Sequence, residues 1–124
     1  MKRDMDLIRD LLETIEVWSG EHHSGVGEGE LEQTIAQRGY TRGPVRYHVR
    51  LLETGGLIDI VRAQPPDLRY WVLGLTWQGC ELLALMRNDA VWNRAKAVLA
   101  EKGLEFALAF GSELLAGLVL QYIG

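Results

Sequence analysis

Val45-Arg46-Tyr47-His48-Val49-Arg50-Leu51-Leu52-Glu53-Thr54-Gly55-Gly56-Leu57-Ile58 reads as a short helix, a glycine stop and the start of a β-strand. A helix turns by about 100° per residue. Val45, His48, Val49 and Leu52 then share one side, which is expected to pack inward. Arg42, Arg46, Arg50 and Glu53 fall largely opposite, with Tyr47 and Thr54 on the flank. Gly55 is expected to take the left-handed conformation that ends the helix.

Upstream, Leu31 and Ile35 mark a second short helix ending near Gly39. Thr41 can cap the following helix with its hydroxyl, and Pro44 falls in the first turn, where a missing N–H costs little. Glu30 to Thr54 is therefore helix, tight turn, helix. Downstream, Leu57 to Arg62 and Arg69 to Leu75 are rich in β-branched and aromatic residues. The stretch between them contains Pro65-Pro66, so the pair predicts a β-hairpin with a long loop.

Leu7, Ile8, Leu11, Leu12 and Ile15 form the stripe of an amphipathic first helix. Asp4 and Asp6 favour its N-terminal end, and Gly20 is expected to stop it. Residues 19–29 read as a glycine-rich loop. Beyond the hairpin, Thr76 can cap a helix carrying Leu82, Leu83, Leu85 and Met86. Asn88-Asp89 marks a break before the stripe Val91, Trp92, Ala95, Val98 and Leu99. Leu104 to Tyr122 reads as a last helix, apolar on nearly all sides.

The chain has 124 residues, 48% of them hydrophobic, enough for one compact domain and too few for two independent cores. The single Cys80 excludes an internal disulfide, fits a reducing cytoplasm and is expected to pack as a small hydrophobe. Acidic residues soon interrupt the N-terminus, so no secretion signal is expected. The apolar stretch after Glu113 is too short to cross a bilayer. Net charge is −4, which argues against a nucleic-acid binder using its whole surface. Positive charge is nevertheless concentrated: residues 38–50 hold four arginines and no acid, whereas residues 1–37 sum to −6.

No catalytic constellation emerges, and neither an enzyme activity nor a cofactor is expected. His22-His23 with Glu21 and Glu28 lacks the spacing of a metal site. Gly25-Val26-Gly27-Glu28-Gly29 lacks the spacing and lysine of a phosphate loop, and Ser24 has no oxyanion-hole context. The tryptophans are assigned to the core, with Trp71 and Trp77 pinning the hairpin to the body. A helix apolar on all sides must be buried on all sides. Leu104, Leu108, Leu115, Leu118, Val119 and Tyr122 are therefore expected to form a homodimer interface.

Residues 30–83 resemble winged-helix regulators of the ArsR, MarR and PadR type. The resemblance rests on Val45, His48, Val49, Leu51-Leu52-Glu53-Thr54-Gly55-Gly56-Leu57-Ile58, and on Leu75-Thr76-x-x-Gly79-x-x-Leu82. The whole chain is similar to a family of short uncharacterised bacterial and prophage proteins opening with Met1-Lys2-Arg3-Asp4-Met5-Asp6-Leu7-Ile8-Arg9. It shares with them Gly39-Tyr40-Thr41, Val45-x-Tyr47-His48, Leu75-Thr76-Trp77-x-Gly79 and Val91-Trp92. The expected fold is mainly α with a small β-hairpin (α+β): a winged helix-turn-helix domain over 1–88 and a C-terminal helical extension over 89–124. The expected function is binding of double-stranded DNA in the cytoplasm, in a phage-linked regulatory setting. Arg42, Arg46, Tyr47 and Arg50 would enter the major groove, and Arg38, Arg62 and Arg69 would hold flanking phosphates. The alternative is a protein-interaction module that binds no DNA.

Overall fold

Leu7, Ile8, Leu11, Leu12 and Ile15 are completely buried, as their spacing requires. They lie on α1 (Met5–Glu21), which Asp4 caps. The Asp4 carboxylate accepts the backbone N–H groups of Asp6 and Leu7, each at 3.1 Å, satisfying donors that have no partner in a helix's first turn.

The computed structural model describes residues 4–21, 25–67 and 69–102. They fall into two compact units, Met1–Gly79 and Cys80–Gly124. After α1 come β1 (Val26–Gly27), α2 (Glu28–Ala36), α3 (Arg42–Thr54), β2 (Ile58–Arg62) and β3 (Tyr70–Leu75). The second unit takes up α4 (Trp77–Met86) just after its start and continues into α5 (Asp89–Lys102). The described residues are mainly helical, with one small antiparallel sheet in the order β1-β3-β2.

The hairpin is present, but a third strand lies where a loop is expected. Val26 pairs with Val72 and Gly27 with Trp71, so β3 is the central strand. On the other side Ile58 faces Leu75 and Asp59 faces Gly74, while Ile60 faces Val72. Leu73 is thus an extra residue in β3, a bulge that returns the following side chains to their faces.

In the first unit α1 packs across β3 and against α2 and α3. Leu31 and Ile35 of α2, Val45, Val49 and Leu52 of α3, and Val72 of β3 are all at most 1% exposed. His48 is equally buried and fully bonded. Its Nδ1 donates to the Pro44 carbonyl at 2.7 Å, and its Nε2 accepts the Asp4 backbone N–H at 2.7 Å. It is a packed histidine, and it ties the start of α1 to α3. In the second unit Leu83, Met86, Val91 and Trp92 are buried. Asn88 caps α5 by accepting the Val91 N–H at 3.1 Å.

Several local expectations are displaced. Thr41 takes the extended conformation before α3, but its side chain makes no capping bond. Gly55 keeps a right-handed conformation, and Gly56, at φ +71°, takes the left-handed one. The Gly56 N–H then bonds the Glu53 carbonyl and the Leu57 N–H the Leu52 carbonyl, the paired bonds of a Schellman ending. Trp77 is 76% exposed, because as the first residue of α4 it lies some 200° round from the inward-facing Gly79. Trp71 is partly exposed on the outer sheet face, and Cys80 is exposed rather than packed. The proposed dimer residues Leu104, Leu108, Leu115, Leu118, Val119 and Tyr122, and the His22-His23 pair with Ser24, lie outside the described residues.

Two stability predictions follow from this packing. Thr76 caps α4 as expected, accepting the Gly79 N–H at 3.1 Å and donating to the Gly56 carbonyl at 2.6 Å. A Cβ at Gly79 would stand 2.1 Å from the Leu57 carbonyl oxygen. Gly→Ala inside a helix normally stabilises by up to about 1 kcal/mol. Gly79→Ala should instead destabilise by about 1–3 kcal/mol in urea unfolding, through forced displacement of backbone; an unchanged midpoint would refute the close contact.

The second concerns Tyr40, whose hydroxyl donates to Asp10 at 3.1 Å. Burial, and then the bond to Asp10, push its pKa from 10.0 up to about 12. The folded state holds this proton more tightly than the unfolded one. The resulting stability is complete below pH 10 and is lost as pH rises to about 12. The stability difference between wild type and Tyr40→Phe should shrink over that window; a constant difference would exclude the linkage.

Candidate functional site

Arg42 and Arg46 are one helical turn apart on α3, and Glu28 and Glu32 one turn apart on α2. The turn through Gly39 brings the two pairs face to face. Arg46 Nε donates to Glu32 Oε1 at 2.8 Å, and its Nη2 bonds Glu28 Oε1. Arg42 Nε lies 3.3 Å from Glu32 Oε2 and its Nη2 lies 4.0 Å from Glu28 Oε1. Each glutamate side chain is only 14% exposed, whereas the arginines remain 43–69% exposed. The bond to Glu32 raises the Arg46 pKa further, so the charge is permanent. Exposed pairs of this kind contribute about 0–1 kcal/mol each. Their larger effect is on the field: two of the arginines expected to face a groove lie on the flank toward α2, beside two carboxylates.

The other arginines are distributed similarly. Arg38 bonds Asp10 of α1 at 2.9 Å, with Glu13 at 3.9 Å. Arg62 on β2 donates to both Glu53 oxygens, at 2.6 and 3.3 Å. Arg69 grips Asp67 within the hairpin loop, and these bonds hold the Asp67 carboxyl below its usual pKa. Arg50 differs. It is exposed on the outward side of α3, and no acidic partner approaches it among the described residues. Tyr47, one position short of a full turn away, presents its ring edge-on to His48, with centroids 5.3 Å apart.

Between α3 and the hairpin lies a groove of about 350 Å³. Arg46, Arg50 and Arg62 line it with Glu28, and Tyr47, Val49 and Tyr70 complete the wall. The lining therefore carries more positive than negative charge. The Arg62 guanidinium lies over the Tyr70 ring, 5.6 Å from its centroid. Tyr70 is 5% exposed, and among the described residues its hydroxyl has no hydrogen-bond partner. Leaving such a group unpaired costs about 1–3 kcal/mol. Burial, and then the nearby Glu32 and Glu28, raise its pKa, so the hydroxyl stays protonated and can donate. Sequence reasoning placed Tyr70 only in a strand; its orphan hydroxyl follows from tertiary packing alone.

Seven arginine and tyrosine positions were expected to act together. Arg46, Tyr47, Arg50 and Arg62 share the groove; Arg38, Arg42 and Arg69 do not line it. Glu28 and Tyr70 join them there, and Glu32, outside the lining, pairs with Arg42 and Arg46. Among the described residues, no group of three or more His, Cys, Asp or Glu side chains could hold a metal ion, and no helix is long and apolar enough to cross a membrane.

A protein of Haemophilus influenzae (strain ATCC 51907 / DSM 11121 / KW20 / Rd), described as an uncharacterized protein, is 36% identical over 109 residues. That match spans 87% of this chain and 86% of the relative. No solved structure matches the chain. Residues 2–105 match the family described as hypothetical protein (DUF2513), and the chain belongs to that family.

Proposed function

We propose that the first unit is a winged-helix domain that binds double-stranded DNA through α3. The element order α1-β1-α2-α3-β2-β3 and the strand order β1-β3-β2 support the fold: a helix-turn-helix followed by a hairpin wing on a three-stranded sheet. The single observation that carries the function is Arg50. It is an exposed guanidinium, unopposed by any acid among the described residues, on the outward face of the second helix, beside Tyr47 and in a groove also lined by Arg62 of the hairpin. A guanidinium can fork onto guanine or grip a phosphate. Arg42 and Arg46 are held ready by carboxylates that a phosphate must displace. A phage-linked regulatory role, with repression by occlusion, is the simplest biological setting for such a domain.

A protein partner is the second reading. It is favoured by the pairing of Arg38, Arg42, Arg46, Arg62 and Arg69 with acids, which lowers the attraction for phosphate.

Affinity for pooled genomic duplex fragments over a salt series separates the two. Each phosphate contact contributes about −0.9 to the slope of log K against log salt. The wild-type slope should be shallow. Glu28→Gln with Glu32→Gln should tighten binding and steepen the slope by up to two contacts, and Arg50→Ala should weaken binding about tenfold. No binding by wild type or the double variant at low salt would remove the DNA reading in favour of a protein partner.

Pairing of two chains through the apolar 104–123 stretch would set two α3 helices on half-sites about 34–36 Å apart. Light scattering at micromolar concentration should give twice the chain mass; a monomer would remove the dimer from the proposal.

A further inference from the structure

We infer that the groove between α3 and the β2–β3 hairpin is a binding site for one phosphate group, held by Arg50, Arg62 and the Tyr70 hydroxyl. Four observations converge on it. Three arginines and a single glutamate line the groove, and that glutamate, Glu28, is already engaged by Arg42 and Arg46. Arg50 has no acidic partner among the described residues. The Tyr70 hydroxyl has no partner among the described residues although the residue is 95% buried, which leaves a donor able to take an acceptor from a ligand. The volume of about 350 Å³ lies at the lower end of the range for small-molecule sites, roughly 300–1,000 Å³. It exceeds what a bare phosphate needs, and the Tyr47 ring and Val49 offer apolar wall for an attached sugar or other organic group.

Phosphate suits these donors. It presents several acceptor oxygens, so a guanidinium fork and a neutral phenol can bind it together. Arg62 exchanges Glu53 for the ligand, a movement of the guanidinium that otherwise lies over the Tyr70 ring. Arg46, paired with Glu28 and Glu32, borders the groove on the side toward α2 and is not needed to hold this phosphate. The phosphate comes either from the backbone of bound DNA or from a free phosphorylated small molecule. The site thus goes beyond the DNA reading, since a free phosphate ester would occupy it without a duplex.

Isothermal titration calorimetry in phosphate-free buffer distinguishes the sources, with inorganic phosphate in one arm and a short DNA duplex in the other. Wild type is compared with Tyr70→Phe, which keeps the ring and its packing, and with Arg50→Gln, which changes an exposed side chain. If the source is free phosphate, inorganic phosphate binds and both variants lose about tenfold or more, the effect of removing a hydrogen bond to a charged group. If the source is the DNA backbone, only the duplex binds, with the same losses. Duplex binding that Tyr70→Phe leaves unchanged, with no phosphate binding, overturns the site while leaving the DNA reading intact. Phosphate binding with those losses but no duplex binding supports the site and removes the DNA reading. No binding in either arm overturns both.

Discussion

The Leu57 carbonyl is the point on which the first unit turns. It accepts the Thr76 N–H at 3.1 Å, and the backbone of Gly79 comes so close that no side chain fits between. On the other side of the same residue's Cα, the Leu57 N–H closes the end of α3 by bonding the Leu52 carbonyl. One residue therefore stops the second helix of the turn, starts β2 and docks the beginning of α4. The register Ile58–Leu75 follows directly, and with it the position of Arg62 and Tyr70 beside α3. The junction thus helps set the hairpin beside α3, where the groove lies.

A second tie acts at the opposite end. The Asp4 carboxylate caps α1 while its backbone N–H is spent on His48, so the start of α1 is anchored inside α3. A buried imidazole that donates from one nitrogen and accepts at the other has no spare lone pair for a ligand. This explains why His48 belongs to the scaffold although it sits on the same helix as the candidate site. The exposed side of α3 is left to Arg50, Tyr47 and the flanking arginines.

Much of this was legible in the chain. The stripes on α1 and α3, the two long strands and the Thr76 cap follow from periodicity and from residues with one good structural use. β1 was not, because two residues carry no periodicity and its pairing depends on β3, more than 40 positions away in sequence. The shift from Gly55 to Gly56 is one residue within a glycine pair, where both can adopt either hand. Trp77 and Cys80 were assigned inward by hydrophobicity, yet the inward side of α4 is set by Gly79, Leu83 and Met86. The carboxylate partners were half visible. Glu28 with Glu32 and Arg42 with Arg46 are both i, i+4 pairs on neighbouring helices, a signal of opposed faces. Only tertiary geometry could show that they meet, or that the Tyr70 hydroxyl has no partner among the described residues.

The opposed pairs also reconcile an arginine-bearing helix with a chain of net charge −4. Free guanidinium groups attract any phosphate, and that attraction carries no sequence information. Carboxylates beside Arg42 and Arg46 reduce it at long range, where the paired charges nearly cancel, but not at contact, where a guanidinium still has donors to offer. On the DNA reading, a surface of this kind loses more affinity for arbitrary sites than for one whose groups match it closely. Arg50, without an acidic partner among the described residues, would then make the first encounter, and exchange of glutamate for nucleic acid at Arg46 and Arg42 would follow only where the fit holds the backbone in place. Discrimination in such a site comes from the cost of breaking internal ion pairs as much as from the contacts that replace them.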